Sequence, residues 1–352
     1  MLETHRLKIK ILAGNDETPR ALENIRLHSP VSVAHIEQLT QAVTVYNNEP
    51  AILEFDDAYF KPGSLCLYDK HGVIIPESCL KWGNSFVDAG LDTVPIPNDP
   101  ITIDDPLVYL CDIRNHWGHF LTDGISRTWA RAIYPELANL RSFAMTTPRL
   151  NDNIIKFLCM IKLDPWQNLF SYIKFSPQPL RFRKMFVPAP SFSLLNHAYT
   201  VHARTTSQVA HHFLRNVDLK MEPRPVYLSR SKSGAARTVR NEIALENELR
   251  KKDFWIVQPE DLDISEQISL VNQSSHVFGC WGSAFYNMFF LNNPKQMTTH
   301  TICSLTPYRD FLALDTIVGH NSNYIHALNC VSEAEQIWEV DIDAILRYIS
   351  GL

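Results

Sequence analysis

Along the first hundred residues the apolar positions come in short runs rather than in helical stripes. AILEF and SLCLY, within 51–75, are split by turn signals at Pro62-Gly63 and His71-Gly72, a pattern that predicts strands and hairpins. The segment 90–106 (GLDTVPIPNDPITIDDP) carries four prolines and several aspartates and reads as a loop. LVYLCDI, from Leu107, reads as a strand feeding NHWGHFLTDGISRTWARAIY, whose spacing turns helical after Trp117. Between Pro177 and Pro190 a second proline-rich stretch holds FRKMFVPAP as a strand. TTSQVAHHFLRN (205–216) is helical, and MEPRP (221–225) is the expected linker.

The C-terminal half alternates strand and helix more plainly. VYLSR (226–230), FWIVQP (254–259) and HVFGC (276–280) are strands. NEIALENELRKK (241–252) is a charged helix with Glu246 and Arg250 placed for an i,i+4 pair. Asp263 and Glu266 form a capping box, after which Ile264, Ile268 and Val271 share one helical face. WGS is a tight turn and AFYNMFFL the next helix. DIDAILRYISGL closes the chain as a helix with Ile342, Ile345, Leu346 and Ile349 on one face. Alternation of this length specifies a parallel sheet covered on both faces, an α/β fold whose ligands bind beyond the carboxyl ends of the strands. The expected division is 1–220, 221–330 and a terminal helix within 331–352.

Composition narrows the class. With 352 residues, two domains are expected, and 45% hydrophobic and 20% charged residues suit a globular enzyme rather than a disordered chain. A net charge of −5, from 33 basic and 38 acidic residues, argues against nucleic acid as the partner. No apolar run approaches the ~20 residues of a membrane span, and the N-terminus lacks the features of a signal peptide. The seven cysteines are scattered, form no CxxC, and read as buried thiols of a reducing compartment. A cytoplasmic protein is expected.

Three constellations carry candidate chemistry. In Asn115-His116-Trp117-Gly118-His119-Phe120-Leu121-Thr122-Asp123, a helix would put His119 and Asp123 on one face, where carboxylate and imidazole make a general base. The alternative is a helix start with an incidental His–Asp hydrogen bond. The second, YLSRSKSGAARTVRNE, gathers Arg230, Lys232, Arg237 and Arg240 around Gly234 after a strand. Arginine forks there suit a diphosphate, although a solvated basic loop reads the same way. In the third, Gly279-Cys280-Trp281-Gly282-Ser283-Ala284-Phe285-Tyr286-Asn287, a strand breaks into a helix whose first amides could hold a phosphate, or whose glycines merely permit packing.

Taken together, N-x-x-GHFL-x-D, YLSR…R-x-x-x-NE, V-x-PE, SEQISLV and GxxGSAxxN-x-x-F resemble glycosyltransferase family 61 over roughly residues 50–330, most densely over 226–290. The resemblance implies an inverting, sugar-nucleotide-dependent transferase of GT-B type, with two Rossmann-like domains facing a cleft behind a β-rich N-terminal segment. It matches Asn115, Gly118, His119 and Asp123 to the first motif, and Arg230, Arg237, Asn241 and Glu242 to the second. Glu260, Gln267, Gly279, Gly282, Ser283 and Asn287 match the third. Many members have histidine where this chain has Trp281, so Trp281 either replaces it by stacking or shape, or marks a different donor.

The mechanism expected on this basis starts from a nucleoside-diphosphate sugar, a UDP-sugar by preference. Arg230, Arg237 and the amides at Gly282–Ser283 would neutralise the leaving diphosphate, and Glu242 or Glu260 would bind ribose hydroxyls. Asn241, Gln267 and Asn287 complete the donor-binding set. Asp123 would deprotonate the acceptor hydroxyl, with His119 orienting it or serving as the base itself. No cofactor and no metal are expected: Asp341-Ile342-Asp343 reads as a helix cap, and Asp56-Asp57 and Asp104-Asp105 as loop or strand-end residues. The acceptor would be a glycan or lipid-linked sugar of a bacterial capsule, lipopolysaccharide or similar polymer, compatible with peripheral association at the inner membrane face. Two other readings stand beside this one. His116, His119 and Asp123 could ligate the metal of a hydrolase, or the chain could bind sugar nucleotides without catalysis.

Overall fold

A computed structural model describes residues 3–12, 19–29, 43–82, 85–87, 92–146, 149–163, 169–173, 178–214, 224–232, 238–304 and 308–352. The fold is mixed α/β, and the chain forms two compact units. One is Tyr46–Thr205; the other joins Met1–Val45 to Thr206–Leu352.

In Tyr46–Thr205, four parallel strands lie in the order Leu169–Ile173, Arg141–Thr146, Leu107–Ile113, Leu180–Pro188. Numbered along the chain this is 3-2-1-4, so the order reverses between Leu107–Ile113 and Leu180–Pro188. The far edge is antiparallel, through Ile52–Phe60 and Leu67–Tyr68. These are the hairpin strands that the short apolar runs predict. Ile101–Ile103, inside the segment read as a loop, adds a short parallel strand against Leu180–Phe182. Leu107–Ile113 is buried at every position, as a strand covered on both faces requires. The core centres on Phe143, whose ring meets those of Phe60, Tyr109 and Phe182 at centroid distances of 5.7, 6.0 and 4.7 Å.

The other unit carries five parallel strands in the order Trp255–Val257, Val226–Leu228, His276–Cys280, Thr298–Cys303, Asn321–His326. In chain order this is 2-1-3-4-5, a doubly wound sheet that reverses between Val226–Leu228 and His276–Cys280. Pro19–Ser29 extends it as a parallel neighbour of Asn321–His326, and Glu3–Leu12 pairs antiparallel with Pro19–Ser29. The division therefore differs from a break near residue 220. The first strands belong with the C-terminal sheet, for example through His28 Nε2 and Asn323 Oδ1 at 3.0 Å. Nothing local in 1–45 announces a partner some 300 residues away.

The expected helices appear with their caps. Glu242–Arg250 holds the Arg250 Nη2–Glu246 Oε2 pair at 2.9 Å, and Ile264–Gln273 opens with the reciprocal Asp263–Glu266 capping box. Asp341 caps Ile342–Ser350 by accepting the Ala344 amide at 2.9 Å, which gives the Asp-Ile-Asp sequence a structural job. Ser283–Phe290 differs from the expected α-helix: it is a 3₁₀ helix, wound tighter. Two of its rings pack on Phe311, which lies 6.3 Å from Phe285 and 5.0 Å from Tyr286. Five cysteines are buried thiols as expected, whereas Cys159 and Cys330 are exposed. Among the described residues no helix is long and apolar enough to cross a membrane.

Candidate active site

The first motif begins where Leu107–Ile113 ends, beside the reversal point of its own sheet. The strand is irregular just before it. Register slips by one residue against Phe143–Ala144, and the buried Cys111 sits at φ +71°, a left-handed conformation that costs a non-glycine residue energy. Beyond the bulge, Arg114 Nε pairs with Asp112 Oδ2 at 3.0 Å, and Asn115 Oδ1 accepts the Asn151 amide at 2.7 Å, tying two neighbouring loops together. His116 caps the turn Trp117–His119, and Phe120–Gly124 follows as a single π-helical turn, a form often found at functional sites.

That turn sets His119 Nδ1 3.3 Å from Asp123 Oδ2, the pair that the i,i+4 spacing predicts. The two partners differ in access: Asp123 is 2% exposed and His119 31%. The side chain that reaches solvent is therefore the imidazole, and the carboxylate lies behind it. His116, His119 and Asp123 do not converge as a ligand set. Among the described residues no group of three or more His, Cys, Asp or Glu is placed to hold a metal ion.

A buried histidine that the sequence did not single out anchors this turn. His202 Nε2 donates to the Leu121 carbonyl at 2.9 Å and Nδ1 meets Ser191 Oγ at 2.8 Å, while the Ser191 amide donates to the Ser126 carbonyl at 2.7 Å. Trp129 Nε1 donates to the Ala189 carbonyl at 3.0 Å, fixing the same pair of segments. Burial pushes the His202 pKa down to about 4, so the ring is neutral, with Nε2–H as the donor to the Leu121 carbonyl. Because the folded value lies below the ordinary 6.5, this contribution to stability is complete above pH 6.5. It is lost as the pH falls toward about 4, and amounts to about 3 kcal/mol. Thermal melting across that window should show the wild type losing stability with acid. His202→Leu should be less stable at pH 7 and flatter in its pH dependence; parallel curves for the two proteins would refute the assignment.

The second and third motifs meet at the reversal point of the other sheet. Arg230 follows Val226–Leu228, and Trp281-Gly282-Ser283 follows His276–Cys280, its immediate parallel neighbour. Arg230 Nη1 donates to the Trp281 carbonyl at 2.9 Å. A Cβ on Gly282 would come within 3.2 Å of that same nitrogen, so glycine is the residue that lets guanidinium and backbone approach. The amides opening Ser283–Phe290 have no acceptor within their own helix and lie beside this cation.

Behind Arg230 is a buried layer. Glu242 Oε1 accepts the Arg230 amide and the Tyr227 hydroxyl, each at 3.0 Å. Burial raises the Glu242 pKa, against the effect of those two donors, and its Oε2 is buried with no partner among the described residues. Ser229 Oγ donates to Glu246 Oε1 at 2.6 Å and accepts from Gln258 Nε2 at 2.9 Å. Gln258 was not foreseen. It follows the strand Trp255–Val257 directly, and its buried Oε1 is unpartnered among the described residues, so its position at a strand's carboxyl end was the available signal.

The other matched residues are held within the protein. Asn241 clamps the backbone of Val340, donating to its carbonyl at 2.8 Å and accepting its amide at 2.9 Å. Gln267 donates to the carbonyls of Pro259 and Leu262 at 2.8 and 3.0 Å and accepts from Asn287 Nδ2 at 2.9 Å. These three amides brace the turns around the crevice. Glu260 is exposed on the turn Pro259–Asp261. Lys232 and Arg240 make surface pairs with Asp261 and Glu339, leaving Arg230 as the cation that the described part of the basic loop brings to the crevice. Arg237 and Gly234 lie outside the described residues. Trp281 is buried with its ring against Tyr308, centroids 3.9 Å apart, so it contributes packing and the carbonyl that holds Arg230.

A doubly wound unit with an arginine at its reversal point, and a His–Asp pair beside a second reversal point, are the two candidate sites that the fold presents. The family model described as Glycosyltransferase 61 matches residues 117–299, just over half of the chain and inclusive of all these motifs from Trp117 on. The protein belongs to glycosyltransferase family 61. A comparison with curated proteins finds no match.

Proposed function

We propose that the chain transfers a sugar, with inversion, from a UDP-sugar to a hydroxyl of a glycan or lipid-linked acceptor in bacterial surface-polysaccharide synthesis. The observation that carries this reading is Arg230 fixed on the Trp281 carbonyl beside Gly282, at the reversal point of a 2-1-3-4-5 sheet. One guanidinium nitrogen is thereby anchored and the rest of the fork is left for phosphate oxygens, next to helix amides of the same polarity. Arg237 belongs to this set on the motif resemblance. Glu242 positions Arg230 through its amide, and Asn241, Gln267 and Asn287 brace the surrounding turns. Glu260 and Gln258, both following the strand Trp255–Val257, are the candidates for ribose hydroxyls.

In the other unit the differing exposure of the pair favours His119 as the base, with Asp123 fixing its tautomer through Nδ1. Of the two assignments open from the sequence, this is the one in which the imidazole itself is the base, since a carboxylate 2% exposed is poorly placed to meet an acceptor directly. The two units would then serve as the two lobes of a GT-B transferase, one for donor and one for acceptor. Leaving-group charge would be neutralised by arginine and helix amides, so the reaction is assigned no metal and no cofactor.

Thermal melting with UDP, GDP, CDP, CMP and ADP, each in EDTA and in manganese, tests the reading. A ligand at ~100 times its Kd stabilises by roughly 2.7 kcal/mol. A selective rise with UDP in EDTA is expected. A response that appears only with manganese would overturn the metal-free assignment, and none with any nucleotide would overturn the donor site.

A further inference from the structure

The larger unit holds a cavity of about 770 Å³, lined mostly from the amino-terminal part of the strands by His276, Thr298, His300, Asn321 and Asn323. It lies on one face of the parallel sheet beneath the terminal helix Ile342–Ser350. Cross-strand register shows how that face is built. His276, Thr298 and Asn321 form one row, and Phe278, His300, Asn323 and Arg26 the next; only the row Cys280, Ile302, Ile325, His28, toward the carboxyl ends, is mostly apolar. A covered parallel sheet is ordinarily apolar on both faces, so the polar rows call for a reason.

Their hydrogen bonds join into a chain that can run in one direction. Tyr348 O–H, at 2.9 Å, can donate to His300 Nδ1, and His300 Nε2–H, at 3.0 Å, to His276 Nδ1. Burial, with His276 and His28 nearby, pushes the His300 pKa down to about 3, which keeps the middle ring neutral and suited to pass on this alignment. In this arrangement His276 Nε2–H remains as a donor of the cavity lining. Arg26 and Arg347 line the same cavity from the sheet and the helix, and among the described residues neither guanidinium is ion-paired or hydrogen-bonded. Among the described residues of the lining Asp341 is the one acidic side chain, and it caps the terminal helix.

We propose that this cavity is a binding site for a phosphate-bearing small molecule, with Arg26 and Arg347 as its cations and His276 as a neutral donor. Guanidinium forks suit a phosphate dianion, and the volume lies in the range of small-molecule pockets, so the phosphate would be carried on a larger polar body. The site shares no residue with the Arg230 crevice, and the inference does not depend on the donor reading.

The test follows the histidine ring resonances of the full chain by NMR during titration with inorganic phosphate at constant ionic strength. Arg230→Ala is the background, so that the crevice does not contribute. Saturable shifts are expected for His28, His276 and His300, assigned by His→Gln substitution. Arg26→Gln and Arg347→Gln should each weaken phosphate by about tenfold, while unmoved resonances of distant histidines attest the fold. The proposal is overturned if phosphate produces no saturable shift, if both arginine variants titrate like their parent, or if acetate shifts the same rings equally.

Discussion

Replacing Asp123 by asparagine is expected to lower kcat by about a hundred- to ten-thousand-fold while leaving UDP binding as it is. The carboxylate is 2% exposed and 3.3 Å from His119 Nδ1, so its effect on an acceptor passes through the ring. An ionised carboxylate requires a proton on Nδ1, which leaves Nε2 bare to take the proton of the attacking hydroxyl. Asparagine keeps the shape but presents either a carbonyl or an amide to Nδ1, and with the amide the ring takes the wrong tautomer. The nucleotide-induced rise in melting temperature should be unchanged, because the loss falls on kcat. His119→Gln should cost as much, and the double variant little more than either alone, since the two act as a unit. If His119→Gln retained substantial turnover while Asp123→Asn did not, the carboxylate itself would be the base. If Asp123→Asn turned over normally, the pair would be a structural hydrogen bond of a helix start.

How much of this was legible in the sequence depended on distance along the chain. The i,i+4 pair His119–Asp123, the Asp263–Glu266 capping box and the Glu246–Arg250 pair are each encoded within five residues, and each forms as read. The strands of the C-terminal half were legible for the same reason, as short apolar runs between helical stretches. Their order in the sheet was not, because it is decided by packing between segments tens of residues apart. The pairing of Pro19–Ser29 with Asn321–His326, which moves the first strands into the other unit, has no local signature at all.

The candidate site divides along the same line. Arg230 and Gly282 were readable as residue types at strand ends, but that the one anchors on the carbonyl beside the other is a tertiary fact. Asn241, Gln267 and Asn287 carry the motif resemblance and look like ligand-binding amides; only their partners reveal that the described contacts brace turns. His202 shows the converse. In sequence it stands just ahead of the stretch read as helical, and its importance for the motif turn appears only when the Leu121 carbonyl is found 2.9 Å away. The polar rows beneath the terminal helix were likewise hidden, because Arg26, His276, His300 and Arg347 are scattered along the chain.

Arg230→Ala is expected to reduce donor kcat/KM by about a hundred- to a thousand-fold, roughly 3–4 kcal/mol of transition-state stabilisation. In the proposed reaction the leaving diphosphate gains charge as the sugar departs, so a fixed cation beside it would act more strongly on the transition state than on the bound donor. Arg230→Lys should recover only part of the loss. A lysine carries the charge as a compact point and cannot hold the Trp281 carbonyl while presenting a planar fork to phosphate. Gly282→Ala separates position from charge. Its Cβ, 3.2 Å from Nη1, would displace the guanidinium without removing it, and the expected cost is intermediate, about tenfold. Gly282 itself is extended, at φ 176°, so alanine there brings no backbone strain to confuse the comparison. The order wild type, Gly282→Ala, Arg230→Lys, Arg230→Ala, read in kcat/KM and in the UDP-induced melting shift, is the signature of an anchored phosphate clamp. Unaltered UDP binding in Arg230→Ala would instead make Arg230 a structural link between two strand ends.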